Sequence, residues 1–198
     1  MRVRGHTLFW NKIQYFPQWL ATYDFGPKPI ATAEKLLKRH VDTVCGRYGA
    51  RIFSYDVVNE GIDEKTGELR LTPMAKAMGP DFIEFMFRTA HAAAPHAKLV
   101  YNDYMSWGAN NALHRTGVLK LLERLKKKNV PVDALGVQSH IGAGPDGNFT
   151  IAKADEIAWR DFLDEVTGMG LDLVITEFDV NDRYLPAPIP TRDADVAA

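Results

Sequence analysis

The chain has 198 residues, 24 Lys+Arg against 25 Asp+Glu, a net charge of −1 and one cysteine. A chain of this size buries roughly 70% of its unfolded surface, enough for one real core, and 46% apolar with 25% charged residues speaks against a disordered or fibrous chain. Near-zero charge argues against nucleic acid as a partner, one cysteine cannot close an internal disulfide, and no apolar stretch nears the ~18 residues of a membrane span.

Met1-Arg-Val-Arg-Gly-His6 lacks the apolar core of a signal peptide. The first of five apolar runs covers residues 3–10, and Leu36, Leu37, His40, Val41, Val44 and Tyr48 then repeat at helical spacing, with Gly49 as the stop. The second run, 52–60, is followed by residues 61–80, which read as a long loop over an active-site face. A helix over 81–94 places Phe82, Phe85, Met86 and Ala90 on one face and stops at Pro95. After the third run, 98–103, Val118, Leu121, Leu122 and Leu125 mark another helix, with Lys126-Lys127-Lys128 as its solvated end. The fourth run is 134–140. Ile157, Phe162 and Val166 support a helix ending near Gly168 and Gly170, and the last run is 171–180. Leu99-Val100-Tyr101 and Leu173-Val174-Ile175 are too continuous for half-exposed strands and read as buried on both faces.

Strand and helix alternate, which implies an α/β fold with a parallel sheet and right-handed crossovers. The polar ends of successive runs are separated by 50, 43, 37 and 37 residues, long and even units that favour a (β/α)8 barrel over a doubly wound sheet. Eight units of about 40 residues need roughly 320 residues. This chain holds about five, so it reads as an open α/β sheet or an incomplete barrel. The tail after Asn181, with Pro186, Pro188 and Pro190, reads as a truncation.

In such a barrel the active site stands at the C-terminal ends of the strands. Here those ends read His6-Thr-Leu-Phe-Trp10, Asp56-Val-Val-Asn59-Glu60, Asn102-Asp103-Tyr104, Gln138-Ser139-His140 and Glu177-Phe-Asp179. Glu60 and Glu177 occupy corresponding positions, and a facing pair of carboxylates is what glycosidic cleavage needs: one protonates the leaving oxygen, the other attacks or activates water. Taken singly, His6, His140, Trp10 and Tyr104 read more readily as core residues than as site residues. Cys45 lies on the apolar stripe of its helix and reads as buried. His91 and His96 flank Pro95 without a metal-ligand spacing, and no phosphate-binding glycine loop is present, so neither a metal nor another cofactor is expected.

Asp56-Val-Val-Asn59-Glu60, Gly136-Val-Gln138-Ser-His140 and Ile175-Thr-Glu177-Phe-Asp179-Val180 resemble the signature strands of glycoside hydrolase family 10, retaining endo-β-1,4-xylanases on a (β/α)8 barrel. His6-Thr-Leu-Phe-Trp10 and Tyr101-Asn102-Asp103-Tyr104 match its third and fifth strands in order. The resemblance implies a single partial catalytic domain over residues 1–198, truncated at both ends and running from strand three to strand seven. It also implies that Glu60 is the acid/base and Glu177 the nucleophile. Asn59 would bond the sugar 2-hydroxyl, His140 would hold Glu177, and Asp179 would hold His140. His6, Trp10, Gln138 and Tyr104 would line the sugar, and xylan or xylo-oligosaccharide would be the substrate. Secretion or a periplasmic location follows from the resemblance alone. One motif departs: the family usually has a histidine where this chain has Asn11. An inactive or carbohydrate-binding barrel fragment is the alternative, and open sheet edges would favour self-association. A metal-dependent hydrolase would need a different histidine spacing.

Overall fold

The structure, a computed structural model, describes residues 2–142 and 152–181. The tail beyond Asn181, read above as a truncation, lies outside these residues.

The first apolar run forms two short strands, β1 (Val3–Gly5) and β2 (Phe9–Trp10), and a short helix α1 (Gln18–Ala21) follows. Helix α2 (Pro29–Tyr48) starts on a proline, whose missing N–H costs nothing there, and buries Ala33, Leu37, Val41 and Cys45 at four-residue spacing. It stops where Gly49 takes φ 52°, a backbone that a side chain would disfavour. Strand β3 (Ile52–Asn59) is buried nearly throughout. The segment read as a loop contains an antiparallel Ile62–Leu69 bridge and helix α3 (Pro73–Met78). Thr72-Pro73 supplies the start that the loop reading overlooked: the Thr72 hydroxyl accepts from the Ala75 N–H at 3.3 Å, and proline opens the first turn.

Next come α4 (Phe82–Ala93), β4 (Lys98–Asp103), α5 (Ala112–Lys127), β5 (Ala134–Val137), β6 (His140–Gly142), α6 (Lys153–Gly168), β7 (Asp172–Ile175) and β8 (Asp179–Asn181). The helices bury most of the expected stripes, but His40 and Tyr48 of α2 are exposed, because the buried face runs through Ala33, Leu37, Val41 and Cys45. Phe162 and Val166 of α6 are buried, whereas Ile157 is exposed.

The main sheet is parallel, in the order β1-β3-β4-β5-β7, with β2 on the end of β3 and a separate β6–β8 pair. Strand order equals chain order. With crossovers of one hand, each helix then falls on the same side of the sheet, as in a barrel wall; a doubly wound sheet must reverse direction. About five of eight barrel units are therefore present. Three of the five runs break near their C-terminal ends, and the break between β5 and β6 is Ser139 at φ 63°.

Strands β3, β4 and β5 are buried, but β7 is not. Leu173 is 38% exposed and Ile175 67%, which overturns the reading of Leu173-Val174-Ile175 as buried on both faces. The reason is position: among the described residues β7 pairs with β5 and has no neighbour on its other side. A continuous apolar run reports what a strand is suited to pack against, not what covers it.

Candidate active site

Asn59 closes β3, and Glu60 follows it at φ 55°, a left-handed backbone that is costly for a residue with a Cβ. Two bonds hold it there: the Glu60 N–H donates to the Asn102 carbonyl at 2.9 Å, and the Gly61 N–H donates to the Tyr101 hydroxyl at 3.0 Å. Successive side chains of a strand normally diverge to opposite faces. The turn at Glu60 cancels that divergence, so Gln138 Nε2 donates both to Asn59 Oδ1 (3.1 Å) and to Glu60 Oε1 (3.2 Å). Glu60 is buried, and its other oxygen forms an ion pair with the Lys12 ammonium.

Glu177 follows β7, with its N–H on the Gln138 carbonyl at 3.1 Å. Asn102 Nδ2 donates to Glu177 Oε1 at 2.7 Å, and His140 Nε2 donates to Oε2 at 3.3 Å. Pairing of β6 with β8 sets His140 opposite Asp179, and His140 Nδ1 donates to Asp179 Oδ2 at 2.7 Å. Partial burial alone would lower the His140 pKa. The hydrogen bonds to Asp179 and Glu177 outweigh it and raise the imidazole above its usual range, since both ring nitrogens face carboxylates.

One amide ties the two glutamates together. Asn102, fully buried, donates Nδ2 to Asn59 Oδ1 at 3.0 Å as well as to Glu177, and its Oδ1 accepts from the Thr176 hydroxyl at 2.7 Å. The orientation of the Asn59 amide follows. Asn102 must donate to one carboxylate and Gln138 to the other, so the Asn59 atom between them is its oxygen. The other end of that amide lies 3.2 Å from Trp10 Nε1, so two N–H donors converge at the cluster's edge.

His6 Nδ1 donates to the buried Asp56 Oδ2 at 2.9 Å and stands 3.7 Å from Glu177 Oε1. The Asp56 hydrogen bond, working against burial, raises the His6 pKa. Asp56 is also paired with Arg4. Trp10 stacks on Tyr15 with centroids 3.9 Å apart. Tyr104 lies under the Lys12 ammonium (4.4 Å to the ring centroid), with its hydroxyl bonded to Glu64 and to Arg70 Nη2 at 3.1 Å. Asn11, the residue that departs from the family pattern, is buried; it donates to the Arg70 carbonyl (3.1 Å) and accepts from Thr72 (2.6 Å), pinning the 61–72 loop to the site. A cavity of about 550 Å³ opens between Lys12, Glu60, Glu64, Tyr104, Gln138 and His140.

Asn59, Glu60, Gln138, His140, Glu177 and Asp179 thus share one hydrogen-bonded cluster, with His6 and Trp10 at its rim and Tyr104 across the cavity. Gln138 and His140 line the same cavity although Ser139 breaks the strand between them. Sequence reasoning missed Asn102, Lys12, Asp56 and Arg70. Asn102 and Asp56 stood inside quoted motifs, and Lys12 stands two residues past Trp10; nothing marked Arg70, which the loop carries in. Among the described residues no group of three or more possible metal ligands occurs, and no helix there is long and apolar enough to cross a membrane.

Residues 1–196 match the family model described as glycosyl hydrolase family 10. Endo-1,4-beta-xylanase A of Xylanibacter ruminicola is 38% identical over 201 residues, covering 100% of this chain and 49% of that protein. Endo-1,4-beta-xylanase A of Caldicellulosiruptor sp. (strain Rt8B.4) is 40% identical over 147 residues, 70% of this chain and 21% of that protein. Among solved structures, native xylanase 10B from Thermotoga maritima superposes with a TM-score of 0.79 at 31% identity, over 99% of this chain and 56% of that one. A GH10 endoxylanase from a sugarcane soil metagenome gives 0.77 at 31% identity, over 98% and 54%. The chain spans about half the length of these relatives or less.

Proposed function

The chain belongs to glycosyl hydrolase family 10, and on that premise we propose that it hydrolyses internal β-1,4-xylosidic bonds of xylan or xylo-oligosaccharides with retention of configuration. Glu60 protonates the leaving oxygen while Glu177 attacks the anomeric carbon; Glu60 then deprotonates the water that releases the sugar. The observation that carries this reading is the placement of two carboxylates from separate strands in one hydrogen-bonded cluster, each with one oxygen held by a buried amide donor.

In this reading Asn59 presents its amide to the 2-hydroxyl of the sugar being cleaved. His140, itself held by Asp179, orients Glu177, and His6, 3.7 Å from the same carboxylate, lines the sugar at the cleavage point. Gln138 acts from below, through Asn59 and Glu60. Trp10 and Tyr104 supply apolar faces for pyranose rings, with Tyr104 on the leaving-group side. Residues 1–198 form one partial catalytic domain. The place of action is outside the cytoplasm, although one solved relative, from Thermoanaerobacterium saccharolyticum, is described as an intracellular xylanase. The name xylanase recurs among the relatives and favours this reading over a merely sugar-binding fragment.

Incubation with xylan, with and without chelator, tests the proposal. Chelator-independent release of reducing ends, with the β-anomer formed first by NMR, is expected, and both Glu177→Ala and Glu60→Ala should abolish release from xylan. An inverted product, or full activity in either variant, overturns it.

A further inference from the structure

Beneath Glu60 lies a second group of ionisable side chains that the reaction does not use. Tyr101, Asp103 and His114 are each fully buried. The Tyr101 hydroxyl donates to Asp103 Oδ2 at 2.5 Å and accepts from the Gly61 N–H at 3.0 Å. Asp103 Oδ1 accepts from the Tyr104 N–H at 2.9 Å and lies 3.1 Å from His114 Nε2. Burial, with the Asp103 charge beside it, pushes the Tyr101 hydroxyl well above the usual phenol range, so it stays a neutral donor to Asp103.

Placement makes this group more than core filling. Gly61 is the residue after Glu60, and Glu60 holds the strained φ of 55°. A left-handed backbone at a residue with a Cβ persists only where its surroundings over-determine it. The peptide that leaves Glu60 has its N–H on Tyr101, and a Cβ at Gly61 would crowd that same hydroxyl at 3.1 Å. Asp103 in turn fixes the direction of the hydroxyl, and the Tyr104 N–H holds Asp103.

We propose that Tyr101, oriented by Asp103, is a positioning residue for the acid/base: through the Gly61 N–H it holds Glu60 in the left-handed turn that aims its carboxyl into the cavity. Tyr101 touches no substrate in this role and acts only through the backbone of Glu60. The inference rests on Glu60 being the acid/base.

Leaving groups separate the two ideas. A misplaced general acid slows cleavage of poor leaving groups and spares good ones, which depart without protonation, whereas loosened packing lowers both together. With dinitrophenyl and unactivated alkyl β-xylobiosides as probes, Glu60→Ala is the reference. Tyr101→Phe, which removes one oxygen, is expected to keep kcat/KM on the dinitrophenyl substrate within about twofold. On the alkyl substrate it should lose tenfold or more, part of the roughly 10²–10⁴-fold that general acid catalysis supplies. Amide exchange at Gly61, measured without turnover, should be slow in the parent chain and at least tenfold faster in Tyr101→Phe. If Glu60→Ala shows no leaving-group dependence, the acid/base reading itself falls, and the inference with it. If Glu60→Ala shows it and Tyr101→Phe does not, or if Gly61 exchange is unchanged in Tyr101→Phe, the inference alone is overturned.

Discussion

Asn102 donates one amide nitrogen to Glu177 Oε1 at 2.7 Å and shares it with Asn59 at 3.0 Å, so Glu177 and the residue beside Glu60 hang from a single N–H₂ group. Replacing Asn102 by Asp keeps the shape and the bond from Thr176 but turns the donor into a like charge facing Glu177. A hydrogen bond to a charged group is worth about 1.5–3 kcal/mol, so kcat/KM should fall roughly ten- to hundredfold or more. If Glu177 is the nucleophile, as proposed, it is needed whatever departs, and the loss should be equal for good and poor leaving groups. Steady-state kinetics on the two xylobiosides checks it; a loss confined to poor leaving groups would place Asn102 with Glu60 instead.

The same amide dictates a glycine. A Cβ on Gly136 would overlap Asn102 Oδ1 and stand 2.9 Å from Thr176 Cγ2 and 3.0 Å from Val100 Cγ1. Asn102 and Val100 are fully buried, with little room to give. Gly136→Ala should therefore push Asn102 off Glu177 and cost on the order of 1–3 kcal/mol of stability by overpacking. Activity should fall further than at Gly46→Ala, where a Cβ meets nothing within 4 Å. Thermal melts and xylan assays of the pair decide it, and equal behaviour would mean that the sheet relaxes around the methyl group.

His140 should confer a pH-dependent stability. Its folded pKa is raised above the ordinary histidine value of about 6.5, so the contribution is fully present below about pH 6.5 and is lost as pH rises through the folded value. Asp179→Asn removes the closest anion and should lower the His140 pKa. The melting-temperature gap between parent and variant should then be widest near pH 5–6 and shrink above neutrality. NMR titration of the His140 ring checks the direction; an unmoved titration would show that Glu177 alone raises it.

How much of this was legible in the residues follows from what each pattern encodes. Glu60 and Glu177 could be read because they occupy corresponding positions at the polar ends of two apolar runs, and the His140–Asp179 bond because the family resemblance implies it. Alternation also carried the parallel order of the sheet. The bridging role of Asn102 was not legible. A motif places an amide at a strand end, but which two acceptors share its protons depends on the offset between three strands. The left-handed residues Glu60 and Ser139 were equally silent, because neither is a glycine. Helix α3 is hidden in the sequence, because the glycines and charges on either side of Thr72-Pro73 resemble a loop and the helix has only six residues. Ile157 and Ile175 were misplaced because apolar pattern marks a surface fit for burial without naming the surface that buries it.

The β7 edge carries the last prediction. Leu173 and Ile175 of β7 and Phe178 just beyond it are 38%, 67% and 62% exposed, and the far side of β7 meets no partner among the described residues. Unpaired strand edges with apolar side chains are templates for another chain. Each large apolar side chain left in water forfeits about 1.5–3 kcal/mol relative to full burial, and three together exceed the stabilising effect of most single contacts in a marginally stable domain. We therefore expect the 198-residue chain to associate with itself at micromolar concentration, and sedimentation velocity to show a weight-average mass that rises with concentration. Ile175→Lys sets a charge on the most exposed of these positions and should shift the population toward monomer. It should not lower the melting temperature, because Ile175 gives up little packing. Exposed apolar residues elsewhere, such as Trp19 at 54%, provide the control: Trp19→Lys should leave the association unchanged if β7 is the interface. A parent chain that sediments as a monomer throughout, or an Ile175→Lys variant that associates as strongly as the parent, would show that this edge is not what the chain pairs through.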